Sequence, residues 1–381
     1  MISMIIKNAC VYTEDGIFLN KDIYIKDGFF VDSREAADDG TEIDAAGCLA
    51  IPGLTDIHFH GCMSHDLCDG TREAIDAMAA YEASVGVTNI VPATMTLSED
   101  MLLTICQEVK AYAAEGVQEK RAHFWGINME GPFVAPAKKG AQNGEYICNP
   151  DIAMFDRLNE ASGNLVKLLA IAPEQEGAME LIEKRHKEVV ISLAHTCADY
   201  DTAIRAFEKG ASHVTHLYNA MNPYTHRAPG LIGAAADKKG VEVELICDGV
   251  HIHPASVRTT FKIFGDNRII LISDSMRATG LEDGDYTLGG QYVKVTGNLA
   301  ALKDGTIAGS VTNLLDCMRM AVLKMGIPLE SAVKCAAVNP AKSVGIYDCC
   351  GSISTGKVAD VVLLEKEDLA LRQVILRGCP L

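Results

Sequence analysis

Residues 55–61, TDIHFHG, decide the fold of this chain, because a short apolar run there ends in His58 and His60. Seven further apolar runs also end in a residue that can bind a metal or move a proton. When such groups recur at the same end of successive strands, one site is being built from many strands. The other endings are Thr94, Glu130, Glu174, His195, His216, Asp248 and Asp274.

The eight runs are separated by helical stretches, for example at residues 72–86 and 199–210. Strand followed by helix, repeated, predicts a parallel sheet. Eight such strands favour a closed α/β architecture, the (β/α)8 TIM-type barrel, over an open doubly wound sheet, which would not bring eight strand ends to one centre. The predicted strands lie near residues 53–58, 87–94, 122–130, 166–172, 189–195, 212–217, 241–247 and 269–274.

The two ends of the chain resemble each other in pattern. The first fifty residues alternate apolar and polar positions and are interrupted by Asp15-Gly16 and Asp27-Gly28, which are hairpin signals. The tail returns to strand-like alternation. We therefore predict a small β-sandwich domain formed by residues 1–50 and 346–381, beside a barrel hydrolase domain at 51–345.

Composition excludes several classes of protein. The net charge is −17 without a concentrated basic stripe, which argues against a nucleic-acid partner. The 13 cysteines are scattered and lack a CxxC pair, so reduced thiols are favoured over a disulfide framework or zinc ribbon. The start, MISMIIKNAC, has no sustained apolar stretch, so we expect no signal peptide, no membrane partner and a cytoplasmic location.

Five residues at the ends of four predicted strands form a candidate metal site. The two-residue spacing of His58 and His60 places both imidazoles on one face of a strand. Glu130, His195 and His216 are predicted at the ends of strands three, five and six, and one carboxylate with two imidazoles suits a borderline divalent ion such as zinc. Each residue alone could be structural, but their shared position at one end of the barrel favours a metal centre.

Asp274 ends the eighth predicted strand. It could cap the turn that follows. It could also take a proton from an attacking water and deliver it to the leaving group, which predicts metal-dependent hydrolysis. Three further histidines, His123, His186 and His213, lie at strand starts or on a helical surface, and we interpret them as structural.

Nine stretches of the chain resemble the amidohydrolase superfamily, and two of them resemble the N-acetylglucosamine-6-phosphate deacetylase family within it. The resemblance extends in order over nearly the whole chain. HLYNAMNP and CDGVHIHP are the more specific to the deacetylases. The stretches are PGLTDIHFHG, MEGPF, KKGAQNGE, LAHT, THLYNAMNPYTHRAPG, CDGVHIHP, SDSMRATG, DGTIAGS and GSISTGKVADVVLL.

The resemblance implies a reaction and a set of metal ligands. Glu130, His195 and His216 would hold the principal ion, zinc or iron(II), and Asp274 would be the catalytic proton acceptor and donor. His58 and His60 leave a second ion open, since some members lack them and use one metal. The implied reaction hydrolyses the acetamide of N-acetyl-D-glucosamine 6-phosphate to glucosamine 6-phosphate and acetate.

The resemblance also implies the substrate contacts and a homodimer, with Arg227 and His251 reaching across its interface. Some members place a histidine where this chain has Gln142. Two other functions stay open: a relative that acts on N-acetylgalactosamine 6-phosphate or another amide, and a non-catalytic scaffold. The implied contacts to the phosphorylated amino sugar are Ala141, Gln142, Asn219, Ala220, Arg227, Asp248, His251, Ile307, Ala308 and Gly309.

Overall fold

The structure is a computed structural model that describes residues 3–37, 40–116 and 118–381. The strands are, in chain order, β1 (Ser3–Tyr12), β2 (Phe18–Lys26), β3 (Phe29–Val31), β4 (Thr41–Asp44), β5 (Cys48–Pro52), β6 (Leu54–Asp56), β7 (Gly61–Cys62), β8 (His65–Asp66), β9 (Val87–Ile90), β10 (His123–Phe124), β11 (Ile127–Met129), β12 (Val166–Ile171), β13 (Val190–Leu193), β14 (His213–Val214), β15 (Glu242–Ile246), β16 (Ile269–Ile272), β17 (Gly284–Leu288), β18 (Gln291–Thr296), β19 (Leu299–Ala301), β20 (Val361–Glu365), β21 (Leu371–Leu376) and β22 (Cys379–Pro380).

The helices follow the barrel strands as the sequence predicts. Short 3₁₀ turns lie at Leu67–Asp69, Pro136–Lys138 and Gly144–Tyr146, and a π-helical turn at Lys334–Val338 joins the last two helices. The helices are α1 (Arg34–Ala37), α2 (Arg72–Ser84), α3 (Glu99–Ala114), α4 (Ile152–Ala161), α5 (Ala178–Arg185), α6 (Tyr200–Lys209), α7 (Gly230–Asp237), α8 (Pro254–Phe264), α9 (Leu314–Leu323), α10 (Leu329–Val333) and α11 (Asn339–Ser343).

The predicted barrel is confirmed, with all eight strands present. Strands β11 to β16 form a parallel sheet in sequence order, and β6, β9 and β10 form the adjoining parallel sheet. The predicted third strand is divided into β10, which pairs with β9, and β11, which pairs with β12. The apolar runs of the barrel strands, for example those of β12 and β16, are buried on both faces, as is required of parallel strands covered by helices.

Hydrogen bonds close the barrel at both junctions between these sheets. Between strands two and three, the Asn128 amide donates to the Pro92 carbonyl over 2.9 Å. Between strands eight and one, the Asp274 amide donates to the His58 carbonyl, also over 2.9 Å. The open doubly wound alternative is therefore excluded, and the carboxyl ends of the strands meet at one mouth.

The two ends of the chain form one additional sheet. Strand β20 pairs antiparallel with β5, and the sheet runs in the order β22, β21, β20, β5, β1, β2, β3, with β4 also paired to β1. The predicted small β domain is thus present, although its strands belong to one hydrogen-bonded sheet instead of the two of a sandwich. Its boundaries at residues 50 and 346 stay a prediction.

Turn chemistry explains the predicted hairpins of this sheet. Asp27 and Gly28 adopt φ values of 51° and 84° between β2 and β3, the left-handed conformation of a type I′ turn. Asp15 and Gly16 lie in the turn between β1 and β2. Both predicted turns are confirmed.

A separate three-stranded sheet lies at the barrel mouth. Strands β17 to β19 pair antiparallel, and their inner side chains pack with residues of the barrel loops. Leu288 and Val293 of this sheet contact a cluster that includes Met95, Met276 and Ala308. The sheet therefore contributes one wall of the mouth.

All thirteen cysteines, each within the described ranges, are free, which agrees with the expected reduced thiols. Among the residues that the structure describes, no helix has the length and apolar character needed to cross a bilayer.

Candidate metal centre and active site

Three ligand atoms meet at the carboxyl ends of β11, β13 and β14. Glu130 Oε1 lies 3.2 Å from His195 Nε2 and 3.1 Å from His216 Nε2. The two imidazole nitrogens are 3.1 Å apart. Ligands of a tetrahedral ion bound at about 2.0 Å stand about 3.3 Å from one another, so the three atoms match one face of such a shell.

The tautomer of His195 supports a metal at this position. Its Nδ1 lies 2.8 Å from the Lys138 carbonyl oxygen. Because a carbonyl only accepts, Nδ1 carries a proton, so in the neutral ring Nε2 is the nitrogen left to bind a metal beside Glu130 Oε1. A ring held through Nδ1 in this way is typical of a ligating histidine.

A second group of ligand atoms shares Glu130. His60 Nε2 is 3.3 Å from both Glu130 Oε2 and Asp274 Oδ1. His58 Nε2 is 3.5 Å from Glu130 Oε1 and, within the described part of the chain, makes no hydrogen bond although it is fully buried. His58, His60 and Asp274 therefore form a second donor set that fits a divalent ion, with Glu130 between the two sets.

The pKa values of ionisable side chains in this pocket are strongly shifted. Burial opposes ionisation of Glu130, but His58 and the hydrogen bonds of His195 and His216 hold its pKa well below the ordinary value. Burial opposes protonation of His60, but Asp274 and Glu130 raise its pKa to about 10. Buried ionised carboxylates require nearby positive charge, which fits a pocket made to hold cations.

Backbone strain is concentrated at the same positions. His195, His216 and Asp274 have φ values of 42°, 28° and 48°, in the left-handed region that costs a residue with a Cβ about 1–2 kcal/mol. Ala220 in the adjoining loop has φ of 51°. Such strain persists where the surroundings hold it in place, and it is typical of functional sites.

Both donor sets open onto a cavity of about 380 Å³. Most predicted substrate residues line it, and so do His60 and Asp274. The lining is His60, Met95, Glu130, Ala137, Lys138, Gly140, Ala141, Gln142, His195, His216, Asn219, Ala220, His251, Asp274, Leu288, Thr306, Ile307 and Gly309.

Four predicted site residues do not line this cavity. His58 lies beneath it, and Ala308 is buried in the apolar cluster at the mouth. Asp248 Oδ2 lies 2.7 Å from His251 Nδ1 and so fixes that ring. Arg227 lies in an exposed loop and lines a separate surface pocket, so within one chain it does not reach the cavity.

The side-chain amide of Gln142 is hydrogen-bonded to Glu130 and to the backbone of Thr96. Its Nε2 donates to Glu130 Oε2 over 2.7 Å, and its Oε1 accepts from the Thr96 amide over 2.6 Å. The second contact fixes the orientation of the side-chain amide, because a backbone N–H can only donate.

The two strand endings without a predicted role have structural contacts. Glu174 accepts hydrogen bonds from the Thr196 hydroxyl and from the Cys197 amide, and these bonds secure the loop that follows His195. Thr94 donates its amide to Asn128 and so belongs to the strand pairing.

The three histidines interpreted as structural also have local partners. His123 stacks on Trp125 at 4.0 Å between ring centroids. His213 Nδ1 lies 2.9 Å from Ser192 Oγ, and His186 Nδ1 lies near the Ile182 carbonyl.

Sequence reasoning missed several lining residues. Lys138 lines the cavity, and its Nζ donates to the Met221 carbonyl over 3.2 Å. The stretch KKG was a visible signal for it. Met95 and Leu288 gave no signal, because an apolar wall of a cavity has the same sequence pattern as core.

This chain is similar to several known proteins over most of its length. The model of the amidohydrolase family matches residues 49–379. The N-acetylglucosamine-6-phosphate deacetylase of Bacillus subtilis (strain 168) is 36% identical, over 99% of this chain and 96% of its own length. The N-acetylgalactosamine-6-phosphate deacetylase of Escherichia coli O157:H7 is 33% identical, over 89% of this chain and 88% of its own length.

A solved structure agrees over the whole chain. N-acetyl-D-glucosamine-6-phosphate deacetylase from Mycobacterium smegmatis, a variant in complex with N-acetyl-D-glucosamine-6-phosphate, superposes with a TM-score of 0.92 at 30% identity, covering 100% of this chain and 99% of that one. Family match, identity and fold agree, and the chain belongs to the amidohydrolase family.

Proposed function

We propose that this chain is a metal-dependent deacetylase that converts N-acetyl-D-glucosamine 6-phosphate to D-glucosamine 6-phosphate and acetate. The observation that carries the proposal is the meeting of Glu130, His195 and His216 at one point of the cavity that Asp274 also lines. The names of the relatives indicate the acetamide and the sugar phosphate. The scaffold alternative predicts missing ligands or a missing base, whereas all four residues are present.

The metal is proposed as zinc or iron(II), bound by Glu130, His195 and His216. A divalent ion in this position would polarise the acetamide carbonyl and acidify water beside it. The second donor set, which includes His58 and His60, supports the proposal of two ions, and the imidazole and carboxylate ligands accept either metal.

Asp274 is proposed as the group that moves the proton. Burial alone would raise the pKa of Asp274, but the hydrogen bond of His60 and the charges of nearby imidazoles lower it. Asp274 is therefore ionised at neutral pH, so it can accept a proton from the attacking water. It then delivers that proton to the departing amine, which is otherwise a poor leaving group.

The substrate contacts follow from the lining. The residues proposed to surround the acetamide and sugar line the cavity: Ala141, Gln142, Ile307 and Gly309. Ala308 is buried between the last two, and its packing in the core is proposed to hold them in place. The sugar phosphate is assigned to the turn after β14, with Asn219, Ala220 and Arg227 as the proposed contacts. Asp248 and His251 are proposed to supply further contacts to the substrate.

A homodimer is proposed for the assembly. Because Arg227 lies on an exposed loop outside the cavity of its own chain, its guanidinium is free to serve the site of a second copy. A planar guanidinium pairs well with phosphate oxygens. The cytoplasmic location stays a prediction.

Acetate release from four sugars tests the function: the glucosamine and galactosamine epimers, each with and without the 6-phosphate. We expect the phosphorylated glucosamine epimer to give the highest kcat/KM. Preference for the galactosamine epimer would favour the second candidate, which the similarity to the Escherichia coli enzyme supports. Absence of acetate release from all four, with metal added, would contradict both.

A further inference from the structure

Glu244 connects the two donor sets from beneath the cavity. It lies on β15, fully buried inside the barrel. Its Oε2 is 2.8 Å from His58 Nδ1 and 3.0 Å from the His216 backbone nitrogen. One carboxylate oxygen thus contacts one member of each set.

The contact with His58 determines where that ring directs its lone pair. Because the carboxylate accepts, His58 Nδ1 carries a proton, and in the neutral ring Nε2 is left as the acceptor. Nε2 lies 3.5 Å from Glu130 Oε1 and 3.8 Å from Asp274 Oδ1, and it makes no hydrogen bond to the residues that the structure describes. A carboxylate that orients a histidine from behind is the arrangement found around protein-bound metals.

The contact with His216 acts on the other set. The amide that donates to Glu244 belongs to a residue held at φ of 28°, so the carboxylate stabilises a strained backbone. That backbone in turn directs His216 Nε2 to Glu130 Oε1 at 3.1 Å.

The surroundings of Glu244 supply little other compensation. Within the described ranges, its ion-pair partners are His58 and His213, whose Nε2 stands 3.8 Å from Oε1. A buried carboxylate without lysine or arginine beside it is costly unless positive charge lies close by. An ion on the far side of the His58 ring would provide that charge.

We propose that Glu244 is a positioning residue that prepares His58, with His60 and Asp274, to bind a second divalent ion while it holds His216 for the first. This inference rests on the proposed function, since it assumes that both donor sets bind metal.

Metal binding to the stripped protein tests it directly. Zn²⁺ is titrated into the metal-free full chain by calorimetry, and bound zinc is counted by mass spectrometry after desalting. We expect two ions on the unaltered chain. Glu244→Gln keeps the size of the side chain and an acceptor for the His216 amide but removes the charge, so the second ion should bind about 10- to 100-fold more weakly while the first is retained.

Glu242→Gln is the matched control. Glu242 lies two residues earlier at the amino end of the same strand, away from the donor sets, and the substitution makes the same chemical change. We expect two ions with unaltered affinities in this variant. Equal zinc binding by Glu244→Gln and Glu242→Gln would overturn the proposal, and so would a single ion on the unaltered chain.

A second variant covers a failure of Glu244→Gln to fold. Glu244→Asp keeps the charge on a shorter side chain, so it should bind two ions with a weakened second affinity; unaltered affinities would overturn the proposal. The acetate assay on the unaltered chain is independent. Two ions without acetate release would contradict the proposed reaction but leave the role of Glu244 standing.

Discussion

Gln142 Nε2 donates to Glu130 Oε2 over 2.7 Å, so the oxygen of Glu130 that faces away from His195 and His216 is held by a neutral amide. This bond leaves Oε1 directed at the two imidazoles. The orientation of the carboxylate is thus set by a residue that the sequence assigns to the substrate.

Gln142→Leu should weaken metal binding as well as catalysis. A hydrogen bond to a charged group contributes about 1.5–3 kcal/mol, so the affinity of the stripped protein for Zn²⁺ should fall about tenfold or more. Calorimetric titration measures the affinity, and Gln107→Leu on the exposed face of α3 serves as the control. Unaltered Zn²⁺ affinity with a raised KM would show that Gln142 acts on the substrate alone.

Asp274→Asn should leave the ion of Glu130, His195 and His216 bound but remove the proton carrier. We expect kcat for N-acetyl-D-glucosamine 6-phosphate to fall by about a thousandfold or more, since an amide cannot accept the proton. Zinc content is measured on the same sample to separate this effect from loss of the ion. Retention of most of the activity would contradict the assignment of Asp274.

Arg227→Ala and Asp274→Asn should complement each other if Arg227 serves the partner's site. Asp274→Asn alone is expected to be nearly inactive, and Arg227→Ala alone is expected chiefly to raise KM for the phosphorylated sugar, so activity is compared at substrate concentrations well below that KM. Mixing after partial dissociation gives heterodimers in which one of two sites is complete, so about a quarter of the sites should recover in a fully exchanged equal mixture. No recovery from a mixture shown to contain heterodimers would place Arg227 at the site of its own chain or outside catalysis.

Lys138→Met should raise KM for the phosphorylated sugar about tenfold with little effect on kcat, because the ammonium supplies positive charge to the cavity. The backbone carbonyl that orients His195 remains in the variant. Lys139→Met is the matched control, since the neighbouring lysine does not line the cavity. An equal rise in KM for the sugar without phosphate would contradict the interpretation.

His123→Phe should make the fold less sensitive to acid. Burial, with a smaller effect of Arg377, lowers the pKa of His123 to about 4, whereas an unfolded histidine titrates near about 6.5. Between these values only the unfolded state takes up the proton, so stability falls as pH decreases by up to about 1.4 kcal/mol per unit.

The phenylalanine keeps the ring stacked on Trp125 but does not titrate. Urea unfolding of the stripped proteins at pH 6.5 and 4.5 should show a loss smaller by about 2 kcal/mol in the variant. Parallel losses in both proteins would contradict the assignment to His123.

Much of this molecule could be predicted because the carboxyl ends of all strands in a barrel lie at the same mouth. Runs such as IILISD predicted both a buried strand and the side chain at its carboxyl end. The barrel topology alone therefore indicated that four such side chains lie close together: Glu130, His195, His216 and Asp274. The split of the third strand was not predictable, since it depends on register with its neighbours on either side.

Other features depended on contacts between distant parts of the chain. Glu244 is a charged residue inside an apolar strand, but its link to His58 spans 186 positions and no spacing predicts it. The single sheet formed by both ends was predicted as a sandwich because alternation gives the face of each residue and not the pairing of strands. The cavity wall at Leu288 belongs to β17, whose packing against the barrel mouth no local pattern predicts.

The bond from the Asp274 amide to the His58 carbonyl joins the last barrel strand to the first. The seam of the barrel and the catalytic centre are consequently the same place. A chain still emerging from the ribosome cannot assemble the centre until residues beyond 274 are available. Completion of the active site is therefore a late event in biogenesis, and fragments that end before strand eight are expected to be inert toward substrate.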